Sequence, residues 1–155
     1  MHTLNRAALL ITLLLSTIAV GCSHSKRNAF TDDPTKLSGT WVGASTTLNS
    51  RGETGTNKVL TLLVNEQGGI TGQASWERTS GAGGHDGERE TTGATEALIG
   101  SLNRDDGVFF LVETAESGFW YCRTINADLV HGHLVQPGQK HVSSFVTLSR
   151  AEDSQ

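Results

Sequence analysis

The sequence predicts an all-β domain, a small antiparallel up-and-down β-barrel of about eight strands over Leu37–Arg150. Three observations carry that prediction. Turn-forming clusters recur at short intervals: Asn49-Ser50-Arg51-Gly52, Asn65–Gly69, Asn103–Gly107, Glu116-Ser117-Gly118 and Gln136-Pro137-Gly138. The runs between them have strand length and period-two alternation. No window between Leu37 and Arg150 sustains the i, i+3, i+4 pattern of a helix. Short connections favour an antiparallel meander, and closure of eight meandering strands removes both exposed edges. A two-sheet β-sandwich is the alternative arrangement.

The first segment reads as a processing signal. Its apolar core, Ala7–Val20, would make a helix of about 21 Å, short of the roughly 30 Å hydrocarbon core of a bilayer. Small residues then lead into a cysteine. Ala19-Val20-Gly21-Cys22 resembles the lipobox of bacterial lipoproteins, with Ala19 where the usual form has Leu. The resemblance implies that residues 1–21 are removed and that Cys22 carries a thioether-linked diacylglycerol and an acylated amino group. At about 0.8 kcal/mol per buried methylene, those chains suffice for stable anchoring. Ser23 after the cysteine, rather than Asp, implies the outer membrane, facing the periplasm. An ordinary secretory signal, leaving Cys22 as a thiol, is the plainer reading.

Residues 22–36 are expected to form a lipid-anchored tether. Ser23–Asp33 is polar and lacks apolar periodicity. Asp33-Pro34-Thr35-Lys36-Leu37 reads as one helical turn, with Asp33 as N-cap and Pro34 at the first helical position. The strands then follow at about Ser38–Thr47, Asn57–Val64, Ile70–Arg78, Thr95–Leu102, Gly107–Thr114, Gly118–Ile125, Asp128–Val135 and His141–Ser149. The third alternates cleanly, with Ile70, Gly72, Ala74 and Trp76 opposite Thr71, Gln73 and Ser75. In the last, Val142, Val146 and Leu148 oppose Ser143, Thr147 and Ser149, and Phe145 is the exception on the polar side. The connections Leu48–Thr56 and Thr79–Gly93 are longer. The second has five glycines in fifteen residues and is expected to be a mobile loop at a barrel mouth. Residues 151–155 are expected to be a disordered tail.

Gly39-Thr40-Trp41 opens the first strand after the helical turn, and Arg150 ends the last strand in phase with Leu148. This resembles the calycin superfamily of lipocalins and avidins. The resemblance implies that Trp41 closes one barrel end while Arg150 packs across its indole, a cation–π contact backed by hydrogen bonds to carbonyls. Strand spacing is nearer avidin than the lipocalins. However, Ser45 is the one avidin-like polar contact on the first strand, and the tyrosine expected near the third strand is missing, since the only Tyr is Tyr121.

The formal net charge is −4 with no basic block, so nucleic-acid binding has no electrostatic footprint. Only Cys22 and Cys122 are present. If Cys22 is acylated, Cys122 has no partner within the chain. Its aromatic neighbours suit a buried, inert thiol. His131-Gly132-His133 places two imidazoles on one strand face, the weak metal candidates of this chain. Two polar residues near a hairpin mouth explain them equally. Arg104–Gly107 reads as a turn, not a calcium loop. No nucleophile elbow, phosphate loop or Cys-x-x-Cys supports catalysis, and no cofactor is implied.

The function expected from sequence is therefore non-enzymatic. The chain reads as an envelope lipoprotein that docks on an unknown envelope protein as an interaction or accessory module. An exposed apolar patch including Phe109, Leu111 or Phe145 would serve that role. Alternatively it is a calycin-like binder of a small apolar or amphipathic ligand, in a cavity of a few hundred Å³ lined by Trp76, Phe110 and Trp120. Core packing explains those tryptophans equally well. A metal-binding or enzymatic domain is the third alternative.

Overall fold

A computed structural model of the chain describes residues 28–85, 87 and 90–152. The expected signal segment, Cys22 and the first part of the tether lie outside the described residues, as do residues 153–155 of the tail.

Eight antiparallel strands form a closed barrel: β1 (Gly39–Asn49), β2 (Gly52–Val64), β3 (Gly69–Gly81), β4 (Gly93–Leu102), β5 (Val108–Glu113), β6 (Phe119–Asn126), β7 (Leu129–Gln136) and β8 (Val142–Arg150). Each strand pairs with the next, and β8 pairs back onto β1 through Trp41↔Arg150 and Leu48↔Ser143. That closing ladder rules out the sandwich. Four turns use one device: the side-chain oxygens of Asn49, Asn65, Asn103 and Asn126 each accept from the backbone N–H two residues on, at 2.8–3.1 Å. This is why asparagine punctuates the sequence.

The expected helical turn is a 3₁₀ turn over Pro34–Leu37, with the Asp33 side chain accepting from Thr35 N. The residues before it depart from the expected tether. Phe30 is 1% exposed within the core. Asn28 and Thr31 donate to Arg104 O at 3.0 and 2.9 Å, and the Arg104 guanidinium donates back to Thr31 O. Burial of one phenylalanine contributes about 1.5–3 kcal/mol, enough to hold this short segment against the barrel. A single aromatic residue in a polar run thus docks the segment from Asn28 onward on the barrel.

Two boundaries also move. The expected connection Leu48–Thr56 is a paired hairpin, with Leu48↔Glu53 and Thr47↔Thr54 in register. β3 continues to Gly81 after a bulge opposite Gly55 and Thr56. The hairpin looks loop-like in sequence because its buried side chains, Thr47, Thr54 and Thr56, are threonines rather than aliphatics.

β5 is in the opposite phase to the one expected. Phe109 and Leu111 are fully buried and Phe110 is 51% exposed. Val108–Val112 is continuously apolar, so alternation carries no information about its face. A one-residue slip exchanges every side chain between core and solvent.

Cys122 is buried, and burial pushes its thiol well above the usual range. It packs as a small apolar group.

Candidate functional site

The two ends of the barrel differ. One is sealed. Trp41 is 1% exposed and donates its indole N–H to Leu37 O at 3.1 Å. The Arg150 guanidinium lies 4.3 Å from the indole centroid. It donates to Ser38 O at 2.9 Å and Lys36 O at 2.8 Å, with a longer bond to Ala127 O. Gly39 has φ +133, and a Cβ there would meet Arg150 Nη1, so the glycine before the tryptophan makes room for the arginine. Above this cap, Leu60, Leu62, Leu98, Leu111, Val146 and Leu148 fill the barrel.

Polarity rises toward the other end. Inward alternation along β2 runs Val64, Leu62, Leu60 and then Lys58, Thr56 and Thr54, all buried. Along β5 it runs Phe109, Leu111 and then Glu113. Ser144, Gln136 and Thr47 continue the buried polar ring. Four hydroxyls interlock across β1, β2 and β8: Thr47 bonds Thr56 at 3.0 Å and Ser144 at 3.2 Å, and Ser45 bonds the same two at 3.2 and 3.0 Å. Thr54 Oγ1 donates to Ala82 O at 2.6 Å, and Arg51 to Gly83 O at 2.8 Å, which holds the start of the glycine-rich loop over this end.

Between these groups is a cavity of about 150 Å³. Its apolar walls include Ala74, Trp76, Trp120, Leu134 and Val142, and its polar ones Lys58, Glu96, Glu113, Glu116 and Gln136. Gly83, Gly84, His85 and Thr91 from the loop also line it. The volume is smaller than the few hundred Å³ expected, because aliphatic side chains occupy the sealed half.

The charges are held under tension. Lys58 is 3% exposed, and burial lowers its pKa from 10.5 to about 8, an effect only partly offset by the attraction of Glu113. It makes no hydrogen bond or ion pair with a described residue. Burial likewise raises the Glu113 carboxyl above the usual range. The hydrogen bond from Trp120 Nε1 to Glu113 Oε1 at 3.2 Å opposes that shift, and Glu116 and Glu96 add to it. Glu96 is raised by burial and then by Glu116. Desolvation thus outweighs the mutual attraction of Lys58 and Glu113 and pulls both toward neutrality. Gly118 leaves room for this arrangement, since a Cβ there would collide with the Glu113 carboxylate. His85 Nδ1 is buried with no partner among the described residues.

Trp76 and Trp120 line the cavity. Phe110 does not: it stands on the outer wall, where its ring meets Tyr121 edge-on. Phe109 and Leu111, expected on an exposed patch, are core residues, whereas Phe145 is 48% exposed. His131 and His133 also face outward and pack against Phe145, with centroids 5.4 and 4.7 Å away. No cluster of three or more His, Cys, Asp or Glu among the described residues is placed to hold a metal ion. Cys22 lies outside the described residues.

The sequence reading does not single out Lys58 or Glu113. Their signal is phase: Lys58 stands two residues before Leu60, and Glu113 two after Leu111. An ionisable residue in step with an inward aliphatic row marks a buried charge.

No protein-family model matches the chain, and no curated protein matches it. Among solved structures, it is similar to the S-type phycobiliprotein lyase CPES from Guillardia theta, with a TM-score of 0.43, 13% identity, and coverage of 77% of this chain and 90% of that chain.

Proposed function

We propose that this protein is a binding module that takes a small apolar or amphipathic ligand in the open half of its barrel. The observation that carries the reading is the cavity of about 150 Å³ walled by Trp76 and Trp120, with Lys58 and Glu113 at its polar side. A space of this order accepts one benzene-sized ring. Flat indole walls with a few convergent polar groups are the usual composition of a ligand pocket. The ligand seats a ring or a short chain between the tryptophans, and any larger part leaves past the loop at Gly83–His85. Lipidation at Cys22 keeps the barrel at the periplasmic face of an envelope membrane, where such ligands partition.

Titration with benzamide, a neutral ring-bearing probe, tests this through tryptophan fluorescence. Saturable quenching that Ala74→Phe abolishes supports a cavity site. An identical response in that variant places binding elsewhere.

A second reading has its own observation. Phe110, Tyr121, His133 and Phe145 are cross-strand neighbours in one row over β5–β8. Their successive ring centroids lie 5.4, 6.5 and 4.7 Å apart on the outer wall. A half-exposed aromatic row of this kind suits docking on a protein, as expected of an envelope accessory module. Cross-linking to a membrane protein that is lost in a Phe110→Ser/Phe145→Ser variant is the corresponding test.

A further inference from the structure

We infer that Lys58 is a carbonyl-capture site: its amine forms a reversible imine with a small aromatic aldehyde or ketone seated between Trp76 and Trp120. This rests on the cavity being a binding site and names the chemistry it holds.

The geometry supplies the parts. Lys58 enters from β2, is 3% exposed, and has no hydrogen-bond or ion-pair partner among the described residues. A buried ammonium without a partner is costly, so a lysine in this position is explained by what comes to meet it. Among the described residues three carboxyls, Glu96, Glu113 and Glu116, line the same cavity, which disfavours an anionic ligand. The indole walls disfavour a strongly hydrated one. A neutral molecule that presents a carbonyl to Lys58 satisfies both conditions.

The chemistry follows from the neighbours. Desolvation leaves roughly a tenth of Lys58 as free amine at pH 7, far more than an exposed lysine has, which is the condition for an activated lysine nucleophile. The nitrogen lone pair attacks the carbonyl carbon, and a C–N bond forms as the C=O π pair moves to oxygen. Nitrogen loses its two protons overall, the C–O bond breaks, and the oxygen leaves as water, giving C=N with no net oxidation. Glu113, whose carboxyl burial keeps protonated to a higher pH, hands a proton to the departing hydroxyl and regains one from nitrogen. Among the described residues, the charged and titratable groups that line the cavity beside Lys58 are Glu113 on β5, Glu96 on β4, Glu116 in the β5–β6 turn and His85 in the loop.

Benzaldehyde with sodium cyanoborohydride at pH 7, followed by peptide mapping, tests the inference on the full-length protein. The hydride converts each imine into a stable benzyl amine. Labelling at Lys58 at least about tenfold faster than at the exposed Lys36, with the Lys58 adduct absent from Lys58→Arg, supports it, since reactivity tracks the free-amine fraction. Labelling of Lys58 no faster than Lys36 overturns it. Benzamide, which has the ring and carbonyl but forms no imine, separates the two levels. If benzamide quenches Trp76 and Trp120 while Lys58 stays unlabelled, carbonyl capture is wrong and the binding module stands. If neither probe engages the cavity, both fall. Lys58→Met, checked for folding by circular dichroism, must lose the adduct.

Discussion

Trp120 donates its indole N–H to Glu113 Oε1 at 3.2 Å, so one wall of the cavity also holds its principal acid. The indole gives the cavity apolar area and gives a hydrogen bond to a carboxyl that burial has raised. Trp120→Phe keeps the ring and removes the donor. A buried acceptor left unsatisfied costs about 1–3 kcal/mol, and the variant is expected to lose about that much in urea unfolding near neutral pH. The Glu113 carboxyl should also titrate at a higher pH than in the parent, as read by side-chain carboxyl NMR.

Lys58 gives the protein a specific pH signature. Its folded-state pKa is about 8 against 10.5 unfolded, so between those values the unfolded chain binds the extra proton. Stability contributed by this group therefore rises with pH through that window and is penalised in full below pH 8. The penalty is up to about 3 kcal/mol. Lys58→Met is expected to be more stable than the parent at pH 7, with the difference closing by about pH 10.5. Paired denaturation curves across that range check it, and a constant difference would show that Lys58 is not desolvated in the fold.

The sealed end answers to Arg150. Removing its contact with Trp41 and its bonds to Ser38 and Lys36 carbonyls should cost about 2 kcal/mol or more in Arg150→Ala, since cation–π contacts reach about 2 kcal/mol. Arg150→Lys should recover little, because an ammonium lacks the planar fork that serves the ring and two carbonyls together. Thermal unfolding of both variants measures this.

The phase of β5 is directly testable. Phe109→Ala empties a fully buried site and should cost about 3–5 kcal/mol. Phe110→Ala, one residue along on the outer wall, should change stability by less than about 1 kcal/mol. The reverse order would restore the phase expected from sequence.

The barrel was legible because its strands, turns and sealed end announce themselves locally. Asparagine turns repeat, Ile70–Trp76 alternates, and Gly39, Trp41 and Arg150 bracket the chain. The open half was not legible, for one shared reason. A wall that lines a polar cavity alternates polar with polar, so Thr47, Thr54 and Thr56 looked like a loop. The inward Glu113 disagreed with the apolar run beside it, which hid the true phase of Val108–Val112. Phe30 shows the same limit in reverse, since one aromatic residue docks a segment whose composition reads as a tether. Sequence patterning reports faces that differ from each other, and it is silent where function makes both faces alike.

The central claim is that the half of the barrel around Trp76 and Trp120 is a ligand site. The chain's three tryptophans divide cleanly, with Trp41 under the seal and the other two in the cavity. Indole N–H resonances followed by NMR during a benzamide titration test the claim most directly. The account predicts saturable shifts at Trp76 and Trp120 with Trp41 unmoved. Shifts confined to the outer-wall residues around Phe110 and Phe145, or none at any indole, would contradict it.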